Sequence, residues 1–321
     1  MSVVPANIDS ESLAAGSAEH RRLLGRFFLD THVDYVPEQM QWPALTEEEL
    51  ARLRALPFWQ EAVSTENMTS NTVAAAAALE SDPLLREAIE LQGFEELRHG
   101  RLLVALTSHY RIAVELPPRF VPRSLESDFL FAGFGECFDS FFAFGLFALA
   151  RDSGFFPPAL VKVFEPVMQE EARHILFFVN WVQYRRALLP WWQRPAFRLR
   201  CARIILEQVA SRIRTARSMG KPQPGGALTS ENFTLTAHQE LGGEITLRRL
   251  LDLCLTENER RMAEYDLRLK RPRLVPAIAR ALLRVIPGPV GRRAAAARRG
   301  VTSDRMDAAG LSSGRDPDPS R

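Results

Sequence analysis

A chain of 321 residues, 46% hydrophobic and 25% charged, has the make-up of a soluble globular protein and room for one large domain or two small ones. Its net charge of +2 excludes a protein built as a whole to bind polyanions, so nucleic acid is not an expected partner. The three cysteines, Cys137, Cys201 and Cys254, are scattered and form no CxxC pair, which argues against a disulfide framework and fits a reducing cytoplasm.

Met1 to Ser10 lacks a basic segment followed by an apolar run, so no signal peptide is expected. Residues 1–45 read as an irregular N-terminal arm. Pro5, Pro37 and Pro43 punctuate it, and Phe27, Phe28, Tyr35 and Trp42 give it apolar anchors. Asp30-Thr31-His32-Val33-Asp34 reads as a loop packed over the rest of the protein, because no helix or strand pattern fixes its geometry for a metal. Thr46 followed by Glu47, Glu48 and Glu49 caps a short helix that Pro57 closes.

A first long helix is predicted over about 58–80, broken by Ser81-Asp82-Pro83, and a second over about 84–110. Pro117, Pro118 and Pro122 mark residues 112–124 as an extended connection. A third helix, about 125–151, is rich in Phe and ends at Asp152-Ser153-Gly154. Pro157-Pro158 opens a fourth that runs to about Leu188. Short turns make the first and second helices, and the third and fourth, antiparallel neighbours. The middle connection of ~13 extended residues reaches ~43 Å, enough to cross the length of a helix of ~27 residues. Two hairpins joined by one long crossover is the ferritin-like topology. The longest charge-free apolar runs, 140–150 and 175–184, fall short of the ~20 residues of a membrane span.

Beyond Pro190 a helical extension, 191–287, is expected. It holds one helix from Pro195 to Met219, a Gly/Pro loop over 221–227, a helix from Ile245 to Leu269 and a short amphipathic piece from Pro276 to Ile286. Residues 288–321 read as a basic, disordered tail. Between Arg268 and Arg299 there are ten Arg or Lys residues and no acid, a pattern suited to an anionic membrane or an acidic protein partner.

The chemistry sits in two matching steps, Glu95-Glu96-Leu97-Arg98-His99 and Glu170-Glu171-Ala172-Arg173-His174. A Glu-x-x-His spacing puts a carboxylate and an imidazole on one helix face a turn apart. An offset of 75 also matches Pro83 with Pro158, Leu85 with Leu160 and Glu90 with Glu165, so the two halves read as copies of one hairpin. Distances from the connecting turns place Glu66 at the depth of Glu96 and Glu136 at that of Glu171. Glu61, the rival of Glu66, would lie ~10 Å out of register. The core-facing stripes agree: Leu85, Ile89, Gln92, Glu96, His99, Leu103 and Leu106 on one helix, Leu160, Phe164, Val167, Glu171, His174, Phe178 and Trp181 on the other. Glutamates and histidines on apolar stripes are costly unless they bind metal or each other. A carboxylate-rich set with one imidazole per metal suits iron or manganese better than zinc.

Over residues 58–188 the chain resembles the ferritin-like di-iron carboxylate superfamily. The step Glu95 to Gly100 is similar to those of soluble acyl-carrier-protein desaturases and bacterial di-iron hydroxylases. The resemblance implies an all-α, ferritin-like four-helix bundle over 46–190 that holds two Fe ions, or an Fe/Mn pair. Glu66, Glu96 and His99 would bind one metal, Glu136 and Glu171 would be shared or on the second, and His174 would complete the second. It implies an O2-activating oxidoreductase, such as a monooxygenase, that hydroxylates or desaturates a small or acyl-type substrate with an electron donor. The alternative is an iron-oxidising or peroxide-detoxifying protein. In such proteins the acid before the ligand glutamate, here Glu95 and Glu170, can hold the histidine of the opposite helix; the other reading is an i,i+3 pair with Arg98 and Arg173. Ser140, one turn past Glu136, sits where many oxygen-activating members carry a hydroxyl, and Asp139 is a second catalytic candidate. The arylamine N-oxygenases carry an extra His where this chain has Val167, which speaks against that activity. Small residues near Glu66 and Glu136, with Phe129, Phe144 and Phe147, could wall an apolar channel. Glu207 and His238 are weaker candidates to approach the metals, and Cys137 reads as a packed thiol.

Overall fold

The computed structural model describes residues 13–56, 58–154, 156–218 and 246–286. All regular structure among them is helical. Residues 1–280 form one compact unit and 281–321 a second, of which only 281–286 are described. Residues 221–227, His238 and 288–321, on which some sequence expectations fall, lie outside the described residues.

The N-terminal segment is not the irregular arm expected. Helix α1 spans Ala18–Asp30, with the Ser17 side chain accepting the N–H of His20 at its start. Leu24, Phe27 and Phe28 recur at helical spacing and are buried. Helix α2, Glu47–Ala55, carries the expected Thr46 cap as a full capping box with Glu49.

Three longer helices follow the predicted bounds closely, and the fourth is divided. α3 spans Trp59–Ala76 and α4 spans Pro83–His109, with the Asp82 carboxylate capping Leu84 and Leu85 and Pro83 at the first position. Residues 111–122 have no helix or strand. α5 spans Leu125–Ser153 and ends on Gly154, whose φ of 66° is the left-handed conformation that favours glycine. The predicted fourth helix is two: α6, Pro158–Val163, and α7, Glu165–Leu188. Pro166 has no N–H for the Lys162 carbonyl and its ring crowds it, so the helix breaks at Phe164.

α8 spans Arg194–Ser218 and α9 spans Leu247–Met262. α9 stops seven residues short of the predicted Leu269, and the Arg271 guanidinium binds the Met262, Tyr265, Asp266 and Leu269 carbonyls there. α10 spans Leu274–Val285.

α3 packs on α4, α4 on α7, α7 on α5, and α5 on α3. This cycle buries Leu85, Ile89, Phe144, Phe177, Phe178 and Trp181 in one core. α1 lies against α4 and α7, while α8 and α9 lie against α5 and α7. The approach of α9 to α5 is tight at Gly145, where a Cβ would stand 2.3 Å from Cys254 Sγ and 3.0 Å from the Cys254 backbone N. The short apolar runs understated α5: among the described helices it is long and apolar enough to cross a membrane by length and composition, and 56% of that stretch is buried among the other helices.

Candidate metal centre

The core-facing stripes of α4 and α7 bring their acids and histidines together with one glutamate each from α3 and α5. Two groups of three result: Glu66, Glu96 and His99, and Glu96, Glu136 and His174, each with its ligand atoms within 4.8 Å of one another. Glu171 completes the set, its Oε1 lying 3.3 Å from His99 Nδ1. All six residues expected to bind metal therefore converge. Glu96 belongs to both groups, between the two imidazoles, whose ring centroids are 5.6 Å apart. The rival Glu61 is buried on the same helix but joins neither group.

Each histidine is held from outside by the other helix. His99 Nε2 lies 2.8 Å from Glu170 Oε2, and His174 Nε2 lies 2.8 Å from Glu95 Oε2. A carboxylate can only accept, so each Nε2 carries a hydrogen, and in the neutral form of each ring the Nδ1 lone pair would face inward. The arginines cross over in the same way: Arg98 donates to Glu170, and Arg173 Nη1 donates to Glu95 at 3.0 Å. This cross-helix arrangement, rather than the i,i+3 pairing, is the one formed. The loop 31–36 closes over both carboxylates. His32 Nδ1 lies 2.5 Å from Glu95 Oε1, and Tyr35 Oη donates to Glu170 Oε2 at 3.1 Å. His32, Glu95 and Glu170 form a third acid and histidine cluster, but Arg98 and Arg173 already compensate its carboxylates.

The inward side looks different. His99 Nδ1, His174 Nδ1, Glu96 Oε1 and Glu136 Oε1 are buried and make no hydrogen bond. Such orphaned atoms are uncommon in a folded interior, and here they point at one another. Burial pushes the Glu66 carboxyl well above the usual range. Burial does the same to Glu136, reinforced by the charges of Glu96 and Glu171. Burial acts against the charged imidazoles, yet the carboxylates around His99 and His174 outweigh it and raise both. Burial likewise acts against the Glu96 charge, and the nearby His174 overcomes it, so Glu96 is depressed. With all four inward carboxylates ionised and both imidazoles neutral, the cluster would carry four negative charges that two divalent cations would balance. These buried clusters could hold metal ions.

Ser140 Oγ donates to Glu171 Oε2 at 2.7 Å and so fixes one inward carboxylate. Asp139 pairs with Arg212 Nη2 at 2.7 Å and lines the same cavity as Glu136, Ser140 and Glu171. Gln92, one turn before Glu96, reaches Glu136 with its Nε2 at 3.4 Å. Glu207 is exposed and paired with Arg203, so it does not approach the cluster. Cys137 is a buried thiol, as expected, with its pKa raised by burial.

Two cavities meet the cluster. One, of ≈110 Å³, sets Glu66, Glu96, Glu136, Ser140, Gln208 and Arg212 in a wall that is otherwise largely apolar, with Phe131, Val167 and Met168. The other, of ≈220 Å³, is almost wholly apolar: Leu56, Trp59, Leu103, Leu106, Phe147 and Phe164 are among its walls, which also include Glu66 and His99. Phe147 thus lines an apolar cavity. Phe129 and Phe144 do not: both sit in the core, Phe129 edge-on to Phe178 and Trp181.

Sequence reasoning missed Gln208 and Arg212. Their signal was two polar residues continuing the buried face Phe197, Cys201 and Ile204 of α8. His32 and Tyr35 carried no periodic signal at all. No family of known proteins, no curated protein and no solved structure matches the chain.

Proposed function

We propose that this chain is a non-haem di-iron oxidoreductase of the ferritin-like di-iron carboxylate superfamily. Its helices α3, α4, α5 and α7 would be the four-helix bundle of that fold. The observation that carries the reading is the pair of inward, hydrogen-bond-free Nδ1 atoms, each in the company of glutamate oxygens and each fixed from behind by a carboxylate. This is how a protein sets an imidazole to bind a metal. Glu66 and His99 would serve one ion and Glu136 and His174 the other, with Glu96 and Glu171 between them. Two iron ions, or an Fe/Mn pair, would supply the reduction of O2 and the oxidising power.

The chain's own residues would do the rest. Glu95 and Glu170 hold the Nε2 hydrogens and keep both Nδ1 lone pairs turned inward. Ser140 holds Glu171 in one orientation. The apolar cavity would seat an organic substrate beside Glu66 and His99 and keep water from it. Among the described residues its lining offers no Arg or Lys for a charged head group, which favours a neutral, apolar reacting portion, as in a small hydrocarbon-like or acyl-type molecule. The reaction is then hydroxylation or desaturation, with electrons from a separate donor.

The test is metal content and O2 consumption of protein produced with iron. Wild type should hold about two metal ions per chain, and His99→Ala and His174→Ala should each lose most of that while staying helical. Wild type without bound metal, or variants that keep a full complement, would falsify the reading. Reduced protein that oxidises many Fe(II) per chain and retains a mineral would instead establish the iron-oxidising alternative.

A further inference from the structure

Helix α8 is apolar on two opposite faces, and only one of them is accounted for. Phe197, Cys201, Ile204 and Gln208 are buried, and α8 lies against α5 and α7. At roughly 100° per residue, Leu199, Leu206 and Ile213 lie on the far side. They are exposed by 72%, 67% and 46%. The turn leading into the helix adds Trp191 and Trp192, exposed by 75% and 62%. Single exposed apolar residues are ordinary, but a stripe four turns long headed by two tryptophans is a surface built to meet something.

We propose that this face of α8 seats the protein on an anionic membrane surface. Two features select that occupant. The first is charge: Arg194, Arg198, Arg200, Arg203 and Arg214 are exposed along the helix against a single exposed acid of its own, Glu207. Arg198 and Arg214 have no acidic partner among the described residues. Basic residues flanking an apolar stripe match a surface of acyl chains beneath anionic head groups. The second is the tryptophan pair, the side chain that settles at the boundary between head groups and hydrocarbon. A second copy of the chain fits worse. Antiparallel pairing about a twofold at Leu206 would set Arg198 against Arg214 at both ends of the contact, like charge on like. The surface is separate in sequence from the basic C-terminus, and the inference does not depend on metal at the buried glutamates.

The experiment is co-sedimentation of the full chain with vesicles of phosphatidylcholine alone and of phosphatidylcholine with about one third phosphatidylserine. Wild type should pellet with the anionic vesicles and be partly released as salt rises from ~0.1 to ~1 M, since the Debye length shrinks from ~10 to ~3 Å. Leu199→Glu with Leu206→Glu should lower binding by roughly tenfold or more, with metal content and helicity unchanged. Trp191→Ala with Trp192→Ala, at the loop end of the face, provides a second decision should the first variant fold poorly. Wild type that stays in the supernatant overturns the proposal, and so does binding that both double variants retain, which would place the contact elsewhere on the chain. A wild-type dimer in light scattering that Leu206→Glu converts to monomer would assign the face to a second copy and also overturn it.

Discussion

His174 Nδ1 and Glu96 Oε1 lie 2.8 Å apart, yet neither atom makes a hydrogen bond. The hydrogen of a neutral His174 is at Nε2, held by Glu95, so two lone pairs face each other in a buried space. A cation between them removes the repulsion: a metal ion, or a proton that makes the ring an imidazolium. Glu95→Gln tests the metal case. It keeps an oxygen acceptor for Nε2 but removes the charge that strengthens the ring as a ligand. We expect metal affinity to fall roughly 10- to 100-fold in competition against a chelator. Unchanged affinity would mean that Glu95 serves the ion-pair network alone.

Glu66 and Glu61 lie on the same helix, and only Glu66 comes within reach of His99, at 3.9 Å. Glu66→Ala should therefore cost the protein about one of two metal ions, whereas Glu61→Ala should leave the count intact. Elemental analysis of the two variants side by side decides it, and the reverse pattern would move the centre about a turn along α3.

The apolar cavity can be narrowed without touching a ligand. Ala150 is a half-buried part of its wall. In Ala150→Phe, substrate-dependent O2 uptake with a bulky apolar substrate should drop at least about tenfold, while smaller apolar substrates and metal content are spared. If bulky and small substrates are affected alike, the cavity is not where the substrate binds.

How far the sequence reached depended on periodicity. Glu96, His99, Glu171 and His174 sit on stripes that repeat with the helix, so their convergence could be read from spacing, and turn lengths then selected Glu66 and Glu136. The break at Phe164 was also written in the sequence, at Pro166, but the strong pattern on either side hid it. α1 was hidden in the opposite way: three prolines in 1–45 outweighed a clear Leu24, Phe27, Phe28 pattern and its Ser17 cap. His32 and Tyr35 could not be foreseen, because a loop has no period from which to derive where a side chain lands. The exchange of partners by Arg98 and Arg173 is a tertiary event for the same reason: spacing alone favours Glu95 and Glu170 on their own helices.

Gly145 sets how closely α9 can approach α5. A methyl group there would meet Cys254 at both its sulfur and its backbone nitrogen. A side chain can rotate away, but a backbone atom held in a helix cannot, so Gly145→Ala should destabilise the fold by about 1–3 kcal/mol. Adding Cys254→Ala removes the sulfur contact and should restore part of the loss. Denaturant midpoints of the three proteins measure it, and a Gly145→Ala protein as stable as wild type would mean that α9 is free to shift.

His20 ties the start of α1 to its surroundings and should make stability depend on pH. It is buried, edge-on to Tyr184, and its Nδ1 accepts the N–H of Gly16 at 3.2 Å. Burial, and then the charge of Lys270, hold its pKa below 6.5. Protonation would take the lone pair that Gly16 uses. The unfolded chain binds the proton more readily than the folded one. The stabilising contribution of neutral His20 is therefore fully present above about pH 6.5 and is lost as pH falls through the folded value. The loss cannot be steeper than about 1.4 kcal/mol per pH unit for one proton. Urea unfolding of wild type and His20→Gln at pH 7.5, 6.5 and 5.5 isolates this contribution. The wild type should lose more stability than the variant as pH falls, and curves that stay parallel across the range would show that His20 titrates alike in both states.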